Sequence, residues 1–134
     1  MDSDFPAKAM DYFDQSIALQ QLMGNKKGVA DVYNNCAILY ANSGELDKSL
    51  EYFQKSFSIE ESLGNKRGMV ESYGNIGLVY FMQGKLDEAI KITLESIEIE
   101  RELGNIRGEI ASYNTIAEMY NEVNRTEEAI AYLN

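Results

Sequence analysis

The sequence contains no histidine and no tryptophan, and only one cysteine and one proline among 134 residues. The missing histidine removes the most common general base and the most common metal ligand together. The lone Cys36 excludes an internal disulfide framework and any zinc site built on several cysteines. Pro6 lies near the start, so the rest of the chain is free of the residue that most disrupts helices. No apolar run reaches the roughly 18 residues that a membrane-crossing helix needs. Met1-Asp2-Ser3-Asp4 is acidic and has no apolar stretch behind it, unlike a secretory leader. Positive charge is also scarce. Twelve Lys and Arg stand against 22 Asp and Glu, a net charge of −10. Nucleic acid is therefore a poor partner, since phosphate binding needs clustered cations, and a neutral or basic partner suits the chain better. The 45% hydrophobic share that remains is enough for one domain with a buried core.

What is present is repetition. Gly24-Asn25-Lys26-Lys27-Gly28 returns as Gly64-Asn65-Lys66-Arg67-Gly68 and as Gly104-Asn105-Ile106-Arg107-Gly108, a period of 40 residues. Residues 24–63 align on 64–103 without a gap at 14 identities in 40. Such fixed self-similarity is the mark of a solenoid. Within each unit the apolar residues keep helical spacing: Tyr33, Cys36, Ala37 and Tyr40, then Tyr73, Ile76, Gly77 and Tyr80, then Tyr113, Ile116, Ala117 and Tyr120. Gly44, Gly84 and Asn124 follow these stripes as helix stops, because Gly and Asn best tolerate a left-handed backbone. Leu46-Asp47, Leu86-Asp87 and Thr126-Glu127 open second helices, with acids at the positive end of the dipole. Helices are expected over 6–23, 28–42, 46–63, 68–82, 86–103, 108–122 and 126–134.

This pattern resembles the tetratricopeptide repeat along essentially the whole chain. The matching residues are Tyr33, Cys36, Ala37, Tyr40, Gly44, Ser49, Phe53 and Ser56, then Tyr73, Ile76, Gly77, Tyr80, Gly84, Ala89 and Ser96. The third unit offers Tyr113, Ile116, Ala117, Tyr120 and Ala129, with Asn124 where glycine is usual. The 40-residue length, with extra residues assigned to the second helix, is similar to repeats of kinesin light chain, Pins-type spindle adaptors and bacterial peptide-sensing proteins. The resemblance implies an all-α, right-handed α-solenoid of about seven helices. It divides one domain, 1–134, into a half repeat (6–23), two repeats (24–63 and 64–103) and a truncated third (104–134), a piece of something longer. A cytoplasmic location is the expectation.

The family's ligands usually lie on the concave face lined by first helices. Carried over, the expected peptide-binding positions are Asn34, Asn35, Ile38, Asn75, Leu78, Phe81, Met82 and Asn114. A carboxamide both donates and accepts, so it can pair with an extended backbone without reading side chains. The alternative is that these asparagines brace neighbouring helices. Ile38, Leu78, Phe81 and Met82 would floor the groove or fill gaps between hairpins. A carboxylate clamp for chaperone C-termini, which needs lysine and arginine on this face, is not expected, because of the corresponding Asn34, Ile38, Asn75, Ala111 and Thr115 only Asn75 fits. Lys27, Arg67 and Arg107 form a repeated cation stripe. It reads either as an anion ladder or, preferably, as partners of preceding helix ends and of Glu61 and Glu102. Glu98, Glu100 and Glu102 read as a solvated face rather than a metal site, and Cys36 as a buried small hydrophobe.

The leading functional expectation is a non-catalytic scaffold that binds a protein or peptide, without cofactor or metal. A peptide-sensing regulatory module of a larger signalling protein is the alternative. The ends of the chain, with Met10, Phe13 and Ile17 on one side and Ala129, Ile130 and Leu133 on the other, suggest self-association.

Overall fold

The computed structural model describes residues 4–133. They form six helices: α1 (Asp4–Leu22), α2 (Lys26–Asn42), α3 (Leu46–Ser62), α4 (Lys66–Met82), α5 (Leu86–Glu102) and α6 (Ile106–Leu133), with no strand among the described residues. Each helix packs chiefly on the one before and the one after it, as α2 on α3, α3 on α4 and α4 on α5. That is the all-α solenoid the sequence implies. No helix among the described residues is long and apolar enough to cross a membrane.

The repeated Gly-Asn pair ends one helix and starts the next. Gly64 takes φ +66°, and its N–H reaches the Glu61 carbonyl at 3.0 Å while the Asn65 N–H reaches that of Glu60 at 2.9 Å. This pairing satisfies carbonyls that the end of α3 would otherwise leave open. The Asn65 side chain then accepts the Gly68 N–H at 3.3 Å and caps α4. Asn25 does the same for Gly28 at 3.0 Å. The capping asparagine starts the first helices at 26, 66 and 106, two residues earlier than their apolar stripes suggest. Helices α2 to α5 are all 17 residues long, so the long repeat does not arise from the second helix alone.

The central core joins Ala37, Leu50, Phe53, Ile76 and Val79, with Leu46, Tyr52, Tyr80 and Ile92 packed against it. Burying side chains of the size of Leu50, Phe53 and Ile76 stabilises by roughly 1.5–3 kcal/mol each. Small polar residues allow close helix contact without orphaned groups. Ser49 donates to the Ala37 carbonyl at 2.8 Å and Ser56 to that of Ala30 at 3.0 Å. Tyr40 stacks on Tyr52, and Phe57 on Tyr73 with ring centroids 4.5 Å apart.

The third unit departs from expectation. Residues 106–133 run as one continuous helix, so Asn124 does not stop it and Thr126-Glu127 does not open a new one. The turns after α2 and α4 use Gly44 and Gly84 at φ +79° and +78°. A side chain in that conformation costs roughly 1–2 kcal/mol. At Asn124 the backbone stays helical and the chain does not reverse. Tyr113, Ala117 and Tyr120 are therefore exposed, whereas Ala37 and Gly77 at the equivalent of Ala117 are buried.

Candidate functional site

Helices α2, α4 and α6 recur at every 40 residues and present one register of side chains. Ile38, Leu78 and Met82 stand 42%, 55% and 51% exposed, a row of apolar side chains open to solvent beside the packed stripe. Asn35 and Asn114 are exposed, whereas Asn34 and Asn75 are half-buried. Asn75 Nδ2 donates to Asn34 Oδ1 at 3.2 Å, linking α4 to α2. The structure thus brings Asn34 and Asn75 together and leaves Asn35 and Asn114 unlinked to them. Phe81 is less open than Ile38, Leu78 and Met82. It is half-buried and lines a cleft of about 300 Å³ with Leu86, Val123 and Thr126.

Two acids of this region, Glu60 and Glu100, are buried against expectation from their residue type. Glu60 and Glu100 are 2% and 5% exposed, almost wholly buried, on second helices α3 and α5. Each extends its carboxylate over the glycine in the first turn of the next first helix, where a Cβ on Gly68 or Gly108 would collide with it. Gln20 does the same above Gly28, and its Oε1 accepts Asn25 Nδ2 at 2.8 Å. The signal was an acid or amide eight residues before each of Gly28, Gly68 and Gly108. Glu60 Oε2 accepts from Asn65 Nδ2, and its Oε1 lies 3.2 Å from Lys27 Nζ. Asn34 and Glu71 border this small cleft. Glu100 Oε2 is buried without a hydrogen-bond partner.

Three charge assignments change accordingly. Glu100 is not part of a solvated face, although Glu98 and Glu102 are exposed. Lys27 pairs with Asp31 at 2.9 Å and with Glu60 of the following second helix, not with the end of a preceding one. The hydrogen bond from Lys27 to Asp31, helped by Glu60, raises the Lys27 pKa. Glu102 pairs with Lys66 at 2.6 Å, and Arg67 and Arg107 make no ion pair within the described residues. Cys36 is fully buried, and that burial pushes its thiol up to about 11. At the ends, Met10, Phe13 and Ile17 are half-buried, Ala129 and Ile130 are exposed, and the Leu133 side chain lies outside the described residues.

Two tetratricopeptide repeat profiles match the chain, one over residues 68–134 and one over residues 29–66. The chain belongs to the tetratricopeptide repeat family. Tetratricopeptide repeats are generally non-catalytic scaffolds for protein interaction. Among solved structures, the chain is similar to a Podosopora anserina protein described as a kinesin light chain with nearly identical TPR-like repeats. The TM-score is 0.69 at 16% identity, covering 96% of this chain and 64% of that one. A single-substitution variant of it matches with a TM-score of 0.68 at 17% identity, covering 96% and 63%. BtubC (BKLC) from P. vanneervenii matches with a TM-score of 0.60 at 13% identity, covering 89% and 58%. Likeness at these identities concerns the fold alone, and the tetratricopeptide chain spans less than two thirds of each of these structures. No curated protein matches it.

Proposed function

We propose that this chain is a non-catalytic scaffold that holds an extended peptide segment of a partner protein along the face of α2, α4 and α6. The exposed row of Ile38, Leu78 and Met82 carries this reading. Ile38 and Leu78 at repeat spacing on first helices, with Met82 one turn beyond Leu78, offer an apolar surface for side chains of an extended strand. Asn35 and Asn114 stand free beside them, and the Asn34–Asn75 pair keeps donor and acceptor capacity for a peptide backbone. The net charge of −10 favours a neutral or basic segment and disfavours nucleic acid.

The test is to pan a displayed random-peptide library against the chain and measure a recovered peptide by calorimetry. Replacing Asn35 and Asn75 together by alanine is expected to weaken it by about 1–3 kcal/mol, with an unchanged helical circular dichroism spectrum. Undiminished affinity would make these asparagines purely structural.

A further inference from the structure

The pocket between α4, α5 and the turn into α6 is lined by Arg67, Val70, Glu71, Glu100, Leu103 and Asn105 and encloses about 210 Å³. Its floor holds the Glu100 carboxylate, 5% exposed, with Oε2 buried and unpartnered. A buried carboxylate oxygen without a donor is costly, more so than a neutral acceptor. One repeat earlier a cation of the same chain meets that demand: Glu60 Oε1 is likewise buried without a hydrogen bond, but it stands in an ion pair. Glu60 has Asn65 Nδ2 on one oxygen and the Lys27 ammonium 3.2 Å from the other. At Glu100 the same positions hold Asn105 and Arg67, yet neither donates to Oε2. Arg67 borders the pocket without an ion pair.

We propose that this pocket is a socket for a basic side chain of the bound partner, a lysine ammonium or an arginine guanidinium, seated on Glu100. The proposal rests on the peptide-binding reading of the first-helix face and adds the chemistry of one residue to it. Val70 and Leu103 offer apolar walls for a methylene stem, while the charged end meets the carboxylate. Glu71 adds a second carboxylate, so the pocket carries two acids against the single Arg67. The ammonium already seated on Glu60 shows which charge this arrangement accepts.

The test is a nitrogen-15 amide titration of the whole chain with N-acetyl-lysine N-methylamide, matched against the norleucine analogue, which lacks only the charged amine. Saturable shifts are expected at Glu71, Leu103 and Asn105 with the lysine compound and not with norleucine. Glu100→Gln should weaken the lysine compound by about tenfold or more, the worth of a charge-assisted hydrogen bond. Gln20 already occupies the equivalent place one repeat before Glu60, so glutamine is compatible with this fold. Arg67→Ala should leave binding unchanged or tighten it, because it removes the competing cation. Shifts that are absent, or equal with norleucine, or undiminished in Glu100→Gln, overturn the proposal. So does loss of binding in Arg67→Ala, which would make the site one for acceptors. None of these failures touches the peptide-binding reading, which the Asn35 and Asn75 variants test separately.

Discussion

The carboxylate of Glu60 occupies the space that a Cβ on Gly68 would need. Helix α4 can therefore approach α3 only while residue 68 has no side chain, and the approach buries an acid held by Asn65 and Lys27. Gly68→Ala gains helix propensity but expels that carboxylate from both partners. A net loss of about 1–2 kcal/mol is expected, because unmaking buried polar contacts outweighs the propensity gain. Gly74→Ala is the control, since a Cβ there meets open space in an exposed stretch of the same helix. It should stabilise by about 0.4–1 kcal/mol. Urea unfolding of both variants gives the comparison, and equal effects at 68 and 74 would contradict the packing account.

Gly84 holds φ +78° at the reversal between α4 and α5. Gly84→Ala should cost roughly 1–2 kcal/mol through left-handed strain. Asn124 occupies the same place one repeat later but lies within continuous α6. Asn124→Gly is expected to lower the helicity of the segment around it, since glycine costs about 1 kcal/mol in a helix. Carbon-13 secondary shifts over residues 118–130 would show it; an undiminished helix would mean that neighbouring packing, not local preference, keeps α6 straight.

The Cys36 thiol is raised from its ordinary 9.0 to about 11, chiefly by burial, with Asp14 adding to it. In native buffer near neutrality it should resist a disulfide reagent, and one thiol per chain should react at once in urea. Alkaline pH brings a second consequence. The unfolded thiol ionises from 9.0 upward while the folded one stays protonated to about 11, so stability should fall across that window. Cys36→Ser should remove that part of the alkaline loss, and rapid native labelling would place the thiol outside the core.

The architecture was legible because its causes are local. Helical spacing of Tyr33, Cys36, Ala37 and Tyr40, and the glycines at 24, 44, 64, 84 and 104, are visible one residue at a time, and those glycines all take positive φ. Two features were not legible for opposite reasons. Asn124 can end a helix or lie within one, and the local pattern does not state which. Glu60 and Glu100 look like solvated acids by residue type, and only the facing glycines reveal that they are buried. Of the expected binding positions, Ile38, Leu78 and Met82 are exposed as their place off the packing stripe suggests. Phe81 is half-buried and borders a cleft with Glu122 and Val123 of α6. The bond between Asn34 and Asn75 crosses two helices, so spacing along the chain could not announce it.

The central claim is that a peptide lies along the first helices. Amide chemical-shift mapping with a panned peptide tests it most directly. The account predicts perturbations concentrated in α2, α4 and α6, strongest near Asn35, Ile38, Asn75, Leu78 and Met82. Perturbations confined to α1, α3 and α5, with that row unmoved, would contradict it.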